Sequence, residues 1–302
     1  MGRAEIRWGL VLCLVIAACA QTSKVPSFKG DGRYFVQEAG PSLSLLDVGP
    51  RKFVKLFEWE SSGQPMGPIS RWRDGRLLLT IEAASGETKI VLFDPSTRNA
   101  DTVGPGNHAI ALQNGSAIAF LRRRPDRTAE LVFRVDRGEL RDSTRDSVLS
   151  IIPRPSTSAL PHHWWPPVVI GHGKFVALGP DGGAWIYDLA KKRAVPFPDP
   201  EFVPFGWRKR TNTMLGRRFS GEPSLVEMAE GSSVPRELLR GSIGGLFCDE
   251  EQDVIFVSLL SLRGLSEHYD LYALDPTTKM LDLVADGRLV INGLSADAGR
   301  RP

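Results

Sequence analysis

The sequence predicts an all-β chain, a six-bladed β-propeller of four-stranded blades, on three observations. Apolar stretches are short, β-branched or aromatic, and are broken at regular intervals by Gly, Pro, Asp and Asn. One turn-and-strand unit recurs six times, with starts roughly 40 to 60 residues apart, the spacing of a four-stranded blade. After the sixth copy one strand, Leu289-Val290-Ile291, is left over. No stretch keeps a 3.6-residue period over three turns. Pro235 to Arg240 is expected to make one helical turn at most.

The copies run in order along the chain. The first has Asp31-Gly32, then Arg33-Tyr34-Phe35-Val36 and Leu43-Ser44-Leu45-Leu46-Asp47. The second has Asp74-Gly75, then Arg76 to Ile81, Ile90 to Asp94, and a short strand near Asp101-Thr102-Val103. Asn114-Gly115 opens the third, with Ala117 to Phe120 and Leu131 to Val135. His172-Gly173 opens the fourth, with Phe175 to Leu178 and Ala184 to Asp188. This copy arrives late, because Val135 to Pro167 holds an insertion. The fifth, Asn212 to Leu215 and Ser224 to Met228, lacks a glycine in its leading turn. The sixth has Asp253 to Val257 and Leu271 to Asp275.

Each Asp-Gly or Asn-Gly pair supplies the positive φ angles of a tight turn. The strand after it buries aliphatic side chains, and the next strand ends in Asp before a turn such as Pro95-Ser96-Thr97-Arg98 or Pro276-Thr277-Thr278-Lys279. Asp94, Asp188 and Asp275 are therefore expected to accept backbone N–H bonds in those turns. The first copy begins with what would be the second strand of a blade. The leftover C-terminal strand is expected to complete that blade as its innermost strand, and closure of this kind removes open sheet edges. A β-sandwich array or a β-helix is the competing arrangement.

Trp72-x-Asp74-Gly75-Arg76-Leu77 and Leu92-Phe93-Asp94-Pro95 carry a resemblance to the WD40-like propeller families of the bacterial envelope. These include the Tol-associated periplasmic propeller and the lipoprotein propellers of the outer-membrane assembly machinery. The resemblance spans Gly30 to Val290 at the level of the fold, and carries over no functional residue.

The N-terminus reads as an address. Arg3 and Arg7 form a positive region, Trp8 to Ala18 an apolar run, and Ile16-Ala17-Ala18 stands directly before Cys19. The pattern resembles the lipobox of bacterial lipoprotein signal peptides. The apolar run, about 11 residues, is short of the roughly 20 that a bilayer core requires. The expected division is a signal peptide at 1–18, a lipidated N-terminus and linker at 19–29, a propeller at 30–295 and a disordered tail at 296–302. Acyl chains of the palmitate class on Cys19 would hold a periplasm-facing protein on the envelope. Ala20, in place of Asp after the cysteine, implies by the same resemblance the outer membrane over the inner. Ordinary secretion, with cleavage near Cys19, is the alternative.

The formal charge is +3. The leader carries Arg3, Arg7 and Glu5, so a processed chain would keep +2. Arg122-Arg123-Arg124 with Arg127, and Arg208-Lys209-Arg210, are the dense basic runs. Such runs are usually solvated turns, and nucleic acid is not an expected partner. Of the three cysteines, Cys13 would leave with the leader and Cys19 would carry lipid. Cys248 would then be alone, with no intrachain disulfide open to it, and reads as a strand cysteine buried like a small hydrophobe.

Pro161-His162-His163-Trp164-Trp165-Pro166-Pro167 is the most unusual local sequence. It lies in the longest irregular stretch, Asp136 to Pro167. His162, His163, Trp164 and Trp165 could form an aromatic docking spot for a partner; a loop packing its tryptophans over the insertion is the alternative. The pair of histidines does not fit a known zinc spacing. Asp249-Glu250-Glu251-Gln252-Asp253 reads as a solvated hairpin turn and lacks the spacing of a calcium loop. No G-x-S-x-G nucleophile turn is present. No catalytic residue, metal ligand or cofactor is assigned. The expected function is a membrane-anchored, monomeric envelope lipoprotein that serves as a protein-interaction platform, another envelope protein being its partner. The alternative is a metal-dependent propeller enzyme acting on a sugar or lactone. Three or more convergent Asp, Glu, Asn or His side chains at the channel mouth would favour the enzyme.

Overall fold

The chain folds as a six-bladed β-propeller in a computed structural model. The structure describes residues 32–39, 42–59, 64–83, 85–136, 140–141, 143–153, 167–171, 173–199, 201–218, 223–249, 251–263 and 266–296. Cys19 and the His162 to Trp165 segment lie outside these residues.

Among the described residues, twenty-four strands follow in chain order. Blade 1 begins with β1 (Arg33–Glu38), β2 (Ser42–Asp47) and β3 (Lys52–Glu58). Blade 2 takes β4 (Gln64–Arg71), β5 (Leu77–Glu82), β6 (Thr88–Asp94) and β7 (Asn99–Pro105). Blade 3 takes β8 (Asn107–Leu112), β9 (Ala117–Arg123), β10 (Ala129–Val135) and β11 (Asp146–Ile152). Blade 4 takes β12 (Val168–Val169), β13 (Lys174–Leu178), β14 (Ala184–Asp188) and β15 (Arg193–Pro196). Blade 5 takes β16 (Phe202–Arg208), β17 (Thr213–Arg218), β18 (Ser224–Ala229) and β19 (Arg236–Arg240). Blade 6 takes β20 (Ile243–Asp249), β21 (Val254–Arg263), β22 (Ser266–Leu274) and β23 (Leu281–Ala285). The last strand, β24 (Val290–Ser295), returns to pair antiparallel with β1, so blade 1 has the order β24-β1-β2-β3.

Closure by the C-terminal strand thus runs as the sequence predicts. Two local expectations are corrected. Arg236–Arg240 is the outer strand of blade 5, because its backbone pairs with β18 and Leu238 is buried in the joint to blade 6. Asp146–Ile152, inside the stretch read as irregular, is the outer strand of blade 3.

The core is six clusters, one at each joint between blades. Side chains alternate across a strand, so one strand feeds two joints. In β9, Ala117, Ala119 and Leu121 face blade 4, while Ile118 and Phe120 face blade 2. In β13, Phe175 and Ala177 face blade 3, while Val176 faces blade 5. This is why the strands read as continuous apolar runs rather than alternating ones. Each blade also supplies one fully buried ring: Tyr34, Phe93, Phe120, Phe175, Phe202 and Phe256. Each is worth about 1.5–3 kcal/mol against exposure.

The turns follow the predicted chemistry. Asp94 Oδ1 accepts the amides of Ser96 at 2.8 Å and Thr97 at 3.4 Å. Asp275 Oδ1 accepts Thr277 N at 2.7 Å, and Asp188 Oδ1 accepts Lys191 N at 3.0 Å. Gly75 takes φ +88° in the turn of blade 2. In blade 5 Asn212 takes that role at φ 55°, since asparagine tolerates the left-handed region.

Candidate functional site

Six inner strands, β24, β4, β8, β12, β16 and β20, ring a central channel. The register slips in β4, β8, β16 and β20 near Met66/Ser70, Asn107/Ile110, Pro204/Gly206 and Ile243/Gly245. Such bulges bend a strand and re-aim its side chains. The channel opens into a cavity of about 860 Å³.

Its charged lining residues, among those described, are Arg71, Arg73 and Lys174, all basic. Arg71 donates to the carbonyls of Ser295 at 2.6 Å and Ala296 at 3.2 Å, tying blade 2 to the closing strand. Arg73 pairs with Asp136 of blade 3 at 2.7 Å. Lys174 pairs with Glu230 of blade 5. Asn292 donates to Gln37 Oε1 at 2.9 Å and to the Gly67 carbonyl. Cys248 lines the same cavity and is half-buried on β20, less enclosed than a core cysteine. A Cβ at Gly206 would stand 3.0 Å from its Sγ, so the facing strand leaves room for the thiol.

Among the described residues, no group of three His, Cys, Asp or Glu side chains could hold a metal ion. No carboxylate lies among the described lining of the channel cavity. A cluster of bases does not supply the donor set for a hard cation.

A second cleft of about 640 Å³ lies between blades 2 and 3. Its charges are matched within the cleft. Arg76 pairs with Asp74 and Asp101, Arg141 with Asp101, and Arg73 with Asp136.

The charged runs singled out in the sequence are less solvated than expected. Arg208 is 3% exposed and holds Glu227 and Asp253, the latter at 2.7 Å across the joint to blade 6. Burial works against its charge, yet the two carboxylates outweigh it and hold its pKa above the ordinary arginine value. Arg122 is half-buried between Glu130 and Asp146. In the acidic run, Asp249 is buried and caps Glu251 N and Gln252 N, while Asp253 serves Arg208. Chain tracing alone does not show which charge a neighbouring blade will cover.

Sequence reasoning missed Arg217. It lies on β17 at the parity of Leu215, the side that faces blade 6. Its guanidinium sits 4.6 Å from the centroid of Phe205, a residue lining the channel. Burial pushes its pKa down to about 10. The available signal was an arginine at a core-facing position of an otherwise apolar strand.

Comparison with solved structures places the fold. The chain superposes on TolB from Acinetobacter baumannii with a TM-score of 0.63 at 12% identity, over 88% of this chain and 67% of that one. It superposes on a putative TolB from Agrobacterium tumefaciens with a TM-score of 0.59 at 8% identity, over 88% and 99% of the two chains. An oligogalacturonate lyase from Vibrio parahaemolyticus gives 0.51 at 11% identity, over 85% and 78%. At these identities the likeness is one of fold, shared by TolB and by an enzyme alike. No protein-family model matches the chain, and no curated protein sequence matches it.

Proposed function

We propose that the protein is an envelope lipoprotein, processed before Cys19 and lipidated there, whose propeller is a platform for another envelope protein. Residues 1–18 are the leader, 19–29 the tether, 30–295 the propeller and 296–302 a tail. The lipid faces the protein into the periplasm, on the outer membrane, and one chain serves as one platform. The observation that carries the platform over the metalloenzyme is the channel mouth. Its described charges are Arg71, Arg73 and Lys174, with no carboxylate among them. A metal-dependent sugar or lactone enzyme needs convergent acids and amides there.

The docking spot assigned to the partner is the segment His162, His163, Trp164 and Trp165. It precedes Pro167 and Val168, which line the channel cavity. Tryptophans dominate interface energies, and the flanking prolines limit the entropy lost on docking. The test is a pull-down of the native protein from detergent-solubilised envelope, read by mass spectrometry, beside a Trp164→Ala, Trp165→Ala double variant. Weakened recovery of a specific envelope protein, with an unchanged circular dichroism spectrum and melting curve, supports the platform. A folded double variant with full recovery ends the assignment of that segment.

A further inference from the structure

Among the described residues, Arg217 is a cation without an anion. The other deeply buried arginines are matched. Arg134 holds Asp146 at 2.6 Å and the Leu140 carbonyl at 2.9 Å, and Arg208 holds Glu227 and Asp253. Arg218, next in the chain, pairs with Asp199 and Glu201. Arg217 donates to no acceptor among the described residues. Its Nε is closed off from solvent and unbonded, while its two terminal nitrogens are not closed off. An unpaired charge in such a site carries a desolvation cost that a counterion would relieve.

We propose that the joint between blades 5 and 6 holds an oxyanion-binding site, in which Arg217, stacked on Phe205 beside the channel, receives a carboxylate or phosphate group. The site stands apart from the platform reading and does not rest on it. Stacking occupies the face of the guanidinium plane, whereas the N–H bonds lie in that plane. The Phe205 ring and a forked pair of oxygens therefore occupy different directions around one group. Phe205 lines the 860 Å³ cavity, and the arginine stands behind that ring with its two terminal nitrogens not closed off. Among the described lining of that cavity no carboxylate stands to repel an anion. The Tyr269 phenol is the neighbouring group that Arg217 senses electrostatically, and among the described residues no carboxylate shares the position.

The test is binding to the full-length protein in detergent, by calorimetry and thermal shift, at matched ionic strength and neutral pH. The probes are inorganic phosphate, acetate, a short peptide with a free C-terminal carboxylate, and the same peptide as its amide, each against chloride. The parent is expected to bind phosphate or a carboxylate saturably. Preference for the peptide acid over both its amide and acetate identifies a peptide terminus as the source; equal binding of acetate or phosphate identifies a free anion. Arg217→Met is expected to weaken that binding by more than about tenfold while melting at the parent temperature or above it, because it removes an unpaired charge. Arg217→Lys, which keeps charge and stem but loses the fork, is the second variant should the first fail to fold, and it is expected to bind more weakly. Saturable binding that persists unchanged in the folded variant, or no saturable binding of any probe by the parent, overturns the proposal.

Discussion

The Tyr34 hydroxyl of blade 1 donates to Asp249 Oδ2 of blade 6 at 2.7 Å, across 215 residues of chain. Both groups are buried. The same carboxylate accepts Glu251 N and Gln252 N through its other oxygen, so one aspartate shapes a hairpin and fastens the ring where its ends meet. Tyr34 also packs its ring on Phe256 and Phe247, at 4.7 and 5.7 Å.

Tyr34→Phe keeps that packing and removes the donor. A buried carboxylate oxygen then loses its bond, at a cost of about 1–3 kcal/mol. Urea unfolding should show a lower midpoint with an unchanged slope; an unchanged midpoint would show that the hydrogen bond adds nothing to closure.

Deletion of residues 288–302 removes β24. The inner edge of β1 loses its partner, and Ser258 Oγ loses the Val290 carbonyl that it meets at 2.8 Å. Several backbone groups are left unpaired, at about 1–3 kcal/mol each where buried. The truncated chain is expected to lose its cooperative melting transition. A transition at the parent temperature would mean that the ring does not depend on this strand.

Arg208 and Arg210 both reach Asp253, at 2.7 and 3.7 Å, but Arg208 is 3% exposed and Arg210 72%. Arg208→Ala takes the one buried cation from Glu227 and Asp253, leaving them the more exposed Arg236 and Arg210, and is expected to cost up to about 3–5 kcal/mol. Arg210→Ala breaks a solvent-screened pair and should cost about 0–1 kcal/mol. Equal effects in a denaturation series would refute the contrast.

Asp94 titrates low. Hydrogen bonds from the Ser96 hydroxyl, and then from the Ser96 amide and Thr97, hold its carboxyl at about 2. Its folded value is depressed below the ordinary carboxylate value, so its contribution to stability is present above that ordinary value and fades as pH falls toward 2. NMR titration should place the Asp94 midpoint near that value, and Ser96→Ala should raise it. A midpoint unmoved by the substitution would assign the shift to something other than the hydroxyl.

Cys19→Ala removes the acceptor of the proposed lipid. The variant is expected in the soluble fraction or as uncleaved precursor. Fractionation with membranes like the parent, with a processed N-terminus, would count against lipidation and favour ordinary secretion.

Much of the architecture was legible because it is repetitive. A turn aspartate such as Asp94 acts on amides two and three residues ahead, so its role is local and visible in sequence. Arg236–Arg240 was misread for the opposite reason. A short outer strand with charges at both ends has no strong local preference, and its backbone pairing with β18 decides its state.

The sequence by itself determined the number of blades and the return of the C-terminal strand to blade 1. These follow from short-range turn chemistry and from apolar runs that need cover on both faces. Only the tertiary structure decided which charges are buried and what they meet. Arg208 finds Asp253 one blade on, Tyr34 finds Asp249 from the far end of the chain, and Arg217 is left with the Phe205 ring. The physical reason is that a joint is built from two blades at once. A side chain's solvation and partners there depend on residues that the linear chain keeps far apart.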